Sequence, residues 1–211
     1  MLEKIQNFIN KNKHKNSVTT NDKINILFES LDTDIILIKI GSDLVNYGEL
    51  ICRIISHIRE EIKDECGFIM PCVKVIDSSF LQENEFKIYI KGHLISTHFV
   101  IPNEKGISDE MYNTIKSTVY KHLNCVFTNE IVEKYIDTVQ KNNDRLIWNL
   151  TNCISVIDIK TILVGIINCG KSINNITNIF EEIGNEILIN RNKLIKEINF
   201  DKIANNIAKK I

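Results

Sequence analysis

Residues 34–96 limit the possible folds more than any other stretch, because they read as strand, helix, strand and hairpin in close succession. Ile35-Ile36-Leu37-Ile38-Lys39-Ile40 is β-branched and apolar on both faces, which predicts a central strand. Gly41 to Gly48 reads as a loop. Beyond it Leu50, Ile54, Ile58 and Ile62 recur every four residues with Ile51 and Ile55 beside them. That is one apolar stripe on a helix whose other face carries Arg59, Glu60, Glu61, Lys63 and Asp64. Gly67 stands where a helix C-terminus needs a left-handed residue, and Pro71 bars further helix before the strand Val73–Asp77. Asp77 is expected to fix the turn that follows. Phe86, Ile88 and Ile90 then alternate with Lys87, Tyr89 and Lys91, the signature of a half-buried strand. Gly92-His93 fits a two-residue turn with glycine first, from which Leu94 to Ile101 pairs back. No catalytic residue stands out in this stretch. It specifies a shape.

Beyond Pro102 the apolar period changes from two to 3.6. Met111, Ile115, Val119, Leu123 and Val126 mark one helix. Val132, Tyr135, Ile136, Val139, Leu146 and Ile147 mark a second, with Thr128 as N-cap. Ser155 and Asp158 have capping-box spacing at the start of a third, striped by Ile159, Ile162, Leu163, Ile166 and Ile167 and closed by Gly170. A fourth carries Ile176, Phe180, Ile183 and Ile187. The single tryptophan, Trp148, lies at the end of an apolar stripe and is expected to anchor the core of this lobe. The organisation expected is a polar tail over 1–23, an α/β subdomain over 24–106, a helical lobe over 107–190 and a basic tail over 191–211. In fold class this is α/β (α+β), a small mixed sheet with one covering helix followed by a helical lobe.

Charge and composition exclude several functions. Lysine and arginine total 26 against 27 acids, a net charge of -1, which gives no electrostatic case for nucleic acid or an anionic membrane. Lys4 to Lys15 has no apolar core of a signal peptide, and Ile35 to Ile40 is far short of a membrane helix. The six cysteines make no C-x-x-C and no Cys/His pair at zinc spacing, so no metal and no cofactor is expected. A soluble, thiol-reduced, cytoplasmic protein is the expectation. His57 reads as a solvated or edge position, His93 as a turn residue near His98, and Ser78-Ser79 as turn serines without a nucleophile elbow. Glu60-Glu61 and Glu181-Glu182 read as solvated helix faces.

One motif fits a catalytic pattern letter for letter. Gly165-Ile166-Ile167-Asn168-Cys169-Gly170-Lys171-Ser172 matches the phosphate loop G-x-x-x-x-G-K-[ST]. A working phosphate loop must follow a buried strand and open a helix. Here Ser155 to Ile167 has helical period, and no apolar strand with a magnesium-binding aspartate follows. The competing reading is that Gly170 closes one helix and Ser172 caps the next. An NTPase using Gly165, Gly170, Lys171 and Ser172 therefore stands as an alternative, and a self-assembling ring or scaffold as another.

The punctuation of residues 67–92 carries a resemblance. Gly67-Phe68-Ile69-Met70-Pro71-Cys72-Val73-Lys74-Val75-Ile76-Asp77, then Leu81, Asn84 and Phe86-Lys87-Ile88-Tyr89-Ile90-Lys91-Gly92, resembles the cytoplasmic domain of the FHIPEP family. That family is the large export-gate subunit of flagellar and injectisome type III secretion. Ile154-Ser155-Val156-Ile157-Asp158-Ile159-Lys160-Thr161-Ile162-Leu163 is similar to the family's I-S-I-R-D-L-x-T-I-L helix start. Tyr120 to Asp137 is similar to the helix pair before it. The resemblance spans residues 34–190, and in it Gly67, Pro71, Asp77 and Gly92 are shape-givers. It implies a non-enzymatic protein-binding module of protein secretion that docks export substrates, chaperones or apparatus components, at the sheet edge and the inter-lobe cleft. It also implies a possible homo-oligomer without direct membrane insertion. The chain departs from the family in lacking the P-A-F-G-L-P segment between Gly92 and Tyr112. The family's membrane half is not expected in this chain, and a reduced relative is the expectation.

Overall fold

Strand β1 (Ile36–Ile40) lies between two neighbours of opposite direction. The computed structural model describes residues 34–190 and 197–211, so the tail expected over 1–23 lies outside the described residues. β2 (Val73–Asp77) runs parallel to β1 with Val73 opposite Ile36, and β3 (Glu85–Ile90) runs antiparallel with Ile90 opposite Ile36. β4 (His93–Phe99) pairs antiparallel with β3, giving the order β2-β1-β3-β4. A parallel pair needs a crossover, and helix α1 (Gly48–Cys66) supplies it. The register puts Ile36, Ile38 and Ile40 on one face with Phe86, Ile88 and Ile90, all buried in one core with Ile51, Ile54, Ile55, Ile58 and Ile62 of α1. The fold is α+β, a small mixed sheet followed by a predominantly helical region.

Two local expectations change. The segment expected as a loop forms a 3-10 helix over Ser42–Tyr47 that buries Leu44. The hairpin turn is Lys91-Gly92 rather than Gly92-His93, because Ile90 pairs with His93. Both turn residues have positive φ, 48° at Lys91 and 78° at Gly92. That is a primed turn matching the twist of its strands. A bulge between Ile88 and Tyr89 shifts the register by one residue and hides this from a simple alternation count.

The helical region begins with α2 (Glu104–Lys121), whose N-cap Asn103 accepts from Gly106 N at 2.8 Å. The stripe expected as a single helix to Val126 is broken at His122, after which α3 (Leu123–Val126) follows. The next stripe also divides, into α4 (Asn129–Gln140) and α5 (Asp144–Thr151). Thr128 caps α4, and Ser155 with Asp158 closes a capping box at α6 (Val156–Asn168). α7 (Ile176–Ile189) starts at Asn175, whose side chain accepts from Asn178 N, so Asn175 and not Ser172 is its cap.

The expected basic tail contains α8 (Phe200–Lys210), which buries Ile203, Ala204, Ile207 and Ala208 against α6 and α7. Sheet and helices do not separate. Asp34–Ile211 is one compact unit with a continuous core from Ile36 to Ile207. Trp148 does not anchor it: its side chain is 65% exposed. Among the described residues no single helix is long and apolar enough to cross a membrane.

Candidate functional site

The segment Gly67–Cys72 joins α1 to β2, and Gly67, Phe68, Ile69 and Met70 are each fastened to a neighbouring element. Gly67 is the left-handed cap of α1 at φ +79°, its N–H donating to Lys63 O at 2.8 Å. A Cβ there would lie 2.6 Å from Asn174 N and 2.8 Å from Ile173 C, so glycine permits the loop before α7 to touch the backbone. Ile173 N donates to Cys66 O at 2.8 Å, and Asn174 Nδ2 to Asp64 O at 3.1 Å. Phe68 is fully buried, its ring 5.0 Å from Phe127, which meets Tyr135 edge-on at 5.9 Å. The Tyr135 hydroxyl donates to Gly67 O at 2.6 Å and accepts from Ile69 N at 2.9 Å. Burial pushes this phenol up to about 12.

Beside this junction is a groove of about 380 Å³. Ile35, Ile69, Pro71 and Ile131 give it an apolar floor, and Arg59, Glu130 and Lys134 stand at its rim. Arg59 Nε donates to Met70 O at 3.3 Å, and Lys134 lies 2.7 Å from Glu130 one helical turn away. The Glu130–Lys134 pair is largely exposed, so it adds little stability. Among the described residues β2 pairs with β1 alone, and this strand leaves the groove at Cys72. An apolar floor with a charged rim of both signs is the chemistry of a protein-docking surface.

The expected shape-givers fall at two ends of the sheet. Pro71 lines the groove, and Gly67 is tied to its wall through Tyr135. Lys91 N donates to Ile35 O at 3.0 Å, which brings the Gly92 turn to the same end. Asp77 ends β2 opposite Ile40 at the far end. The loop after it is fastened by Ser78 N to Ile40 O at 3.0 Å and by the Glu85 carboxylate, which accepts from Gln82 N at 2.8 Å. Of the groove residues, the sequence pattern marks Arg59 only as a polar helix face and Tyr135 only as part of an apolar stripe, and it does not mark Glu130, Ile131, Lys134 or Thr138.

The phosphate-loop letters are spread over a helix end. Gly165 to Asn168 are helical, and Gly165 lets α8 approach: a Cβ there would lie 2.6 Å from Ala204 Cβ. Cys169 N donates to Gly165 O at 3.1 Å, Gly170 N to Ile167 O at 2.8 Å and Lys171 N to Ile166 O at 3.2 Å. The N–H groups that would wrap a phosphate are thus spent on helix carbonyls. Gly170 is the left-handed residue after α6 (φ +73°), and Ser172 Oγ accepts from Asn174 N at 3.2 Å.

A second polar cluster ties α1 to α2. Lys116 Nζ lies 2.9 Å from Glu61 and 2.8 Å from Glu65, Tyr112 donates to Glu61, and Tyr120 donates to Glu65 at 2.8 Å. Burial opposes the charge on Lys116, but hydrogen bonds to Glu65, Glu61 and Tyr112 raise its pKa. Hydrogen bonds from Tyr112 to Glu61, and from Lys116 to Glu65, hold both carboxyls below their ordinary values. Burial raises the neighbouring Cys66 thiol, so it is a poor nucleophile. The cluster pairs its charges and reads as a fastening. His57 is exposed and stacks on Tyr112 at 6.0 Å; His98 Nδ1 lies 3.7 Å from Glu110. Among the described residues no three His, Cys, Asp or Glu could share a metal ion.

No protein-family model and no curated protein matches this sequence. Solved structures do. CdsV of Chlamydia pneumoniae superposes with a TM-score of 0.66 at 12% identity, covering 82% of this chain and 65% of that one. The fold is shared. Nonameric SctV-C of EPEC gives a TM-score of 0.66 at 13% identity over 82% of this chain and 64% of its own. MxiA of Shigella flexneri gives 0.57 at 14% identity over 72% and 57%. CdsV has also been solved in complex with CdsO, and a similar nonameric structure is the EscV cytosolic domain from the type III secretion system. This chain spans slightly less than two thirds of the length of CdsV and of SctV-C.

Proposed function

We propose that this chain is a non-enzymatic protein-interaction module of type III or flagellar export, acting on the cytoplasmic side of a membrane apparatus. The groove between Gly67–Cys72 and α4 docks an export substrate, a chaperone or an apparatus component. The observation that carries this reading is the shared fold, a TM-score of 0.66 over 82% of the chain with CdsV, a protein solved with a protein partner. The FHIPEP-like blocks at 67–92 and 154–163 support it independently of the superposition. The nonameric state of the similar SctV-C and EscV structures favours a homo-oligomer for this chain too. Gly67, Pro71 and Gly92 shape the docking end of the sheet, and Asp77 closes its far end.

The NTPase alternative has a direct test. Titrating ATP and GTP with magnesium by calorimetry into the chain and into Lys171→Ala is expected to give no saturable heat in either. Saturable binding by the unaltered chain that disappears in Lys171→Ala would overturn the non-enzymatic reading.

A further inference from the structure

Helix α8 is seated on the described fold in a manner suited to exchange. Its eleven residues are fewer than an isolated helix needs to persist in water, so the surface beneath it keeps it helical. That surface is specific. Gly165 forms a floor onto which only a small residue fits, and Ala204 fills it with 1% exposure. Ile203 and Ile207 enter the core on either side, with Ala208 one turn beyond Ala204. At the end of α8, Lys210 Nζ lies 2.9 Å from both Glu182 and Glu186 of α7, and Asn206 Nδ2 donates to Glu186 at 3.1 Å. Asn205 Oδ1 accepts from the Cys169 thiol at 3.0 Å. Burial of Ile203, Ala204, Ile207 and Ala208, with Phe200 packed against the core, is offset in part by the ordering of eleven residues.

We propose that the groove between α6 and α7 is a helix-docking site, occupied in cis by α8 and open in trans to a partner protein's amphipathic helix. The helix it takes carries the pattern of α8: branched apolar then small, repeated four residues on, with a lysine two residues after the second small one. The acidic pair Glu182 and Glu186 selects the basic end, and Gly165 rejects any residue larger than alanine at the central position. Burial pushes the Glu186 carboxyl up, yet Lys210 and Asn206 hold it below its ordinary value, so the acceptor is charged at neutral pH. The inference rests on the chain being a protein-binding module, but its assay is independent of secretion.

The probe is a fluorescent peptide of residues 199–211, titrated into the full chain by anisotropy. Ala204→Leu in the full chain evicts its own α8 and leaves the groove intact. This variant is expected to bind the peptide at least tenfold more tightly than the unaltered chain. Adding Gly165→Leu, which fills the floor, is expected to abolish that binding, and a peptide with Lys210→Glu to weaken it. Absence of binding by folded Ala204→Leu, or binding indifferent to Gly165→Leu, overturns the proposal. Should Ala204→Leu not fold, hydrogen exchange on the unaltered chain decides. Excess peptide, isotopically heavy so that its fragments are distinguished, is expected to speed exchange at 200–210. Unchanged exchange at saturating peptide contradicts the site.

Discussion

Gly67→Ala is expected to lower stability by about 3 kcal/mol, from two separable causes. A Cβ at φ +79° costs on the order of 1–2 kcal/mol in backbone strain. The remainder comes from contact. The new methyl would meet Asn174 N at 2.6 Å and Ile173 C at 2.8 Å, both backbone atoms that cannot rotate away. Relief requires the loop before α7 to withdraw from α1, which stretches the Ile173–Cys66 and Asn174–Asp64 hydrogen bonds. Gly170→Ala separates the two causes, because Gly170 has φ +73° but nothing within 4 Å of its would-be Cβ. Urea unfolding followed by circular dichroism should therefore show a loss near 1 kcal/mol for Gly170→Ala and a clearly larger one for Gly67→Ala. Equal losses would remove the close approach from the account.

Tyr135→Phe is the next largest expected effect, about 2 kcal/mol. The substitution keeps the ring that Phe127 packs against but takes the partner from Gly67 O and Ile69 N together. Each group left without a partner at a partly buried site costs about 1 kcal/mol or more. The pH profile reports the burial of the hydroxyl separately. The folded state holds the Tyr135 proton to about 12, against an ordinary 10. Its contribution is therefore full below pH 10 and is lost as pH rises from 10 to 12. Tyr112 and Tyr120 are raised too, so the unaltered protein weakens there through three phenols and Tyr135→Phe through two. The difference between the two proteins should narrow across that window. A constant difference from pH 8 to pH 12 would mean that the Tyr135 hydroxyl is not buried in the folded state.

Much of this architecture is legible in the chain, and the exceptions have physical reasons. The four-residue recurrence from Leu50 to Ile62, the glycine after α1 and the Ser155–Asp158 box are local signals, and the structure realises each locally. Trp148 was misplaced because the stripe from Val132 to Ile147 reads as continuous across residues 141–143, where the chain breaks into α4 and α5. Buried Ile147 and Leu150 set the phase of α5, and Trp148, one step past Ile147, turns outward. α8 shows in the sequence only as some amphipathic character in a basic, Asn-rich tail, because half its buried face is alanine, which carries little hydropathic signal. The groove was legible only in part. Gly67 and Pro71 announce a bend, but Tyr135 reaches Gly67 across 68 positions of sequence, and no spacing rule connects them. Gly165 shows the reverse case, a catalytic-looking letter whose reason is a neighbouring helix.

The most direct test of the docking reading is site-specific photo-crosslinking in the native cell. A photoreactive residue replaces Ile69, which is 48% exposed at the groove, and in a parallel strain Ile157, which is 60% exposed on α6 and outside the groove. Adducts are identified by mass spectrometry. The account predicts that position 69 captures an export-apparatus component, a chaperone or an export substrate, and that position 157 does not. Capture at both positions alike, or capture at 69 only of proteins unconnected with export, would contradict it.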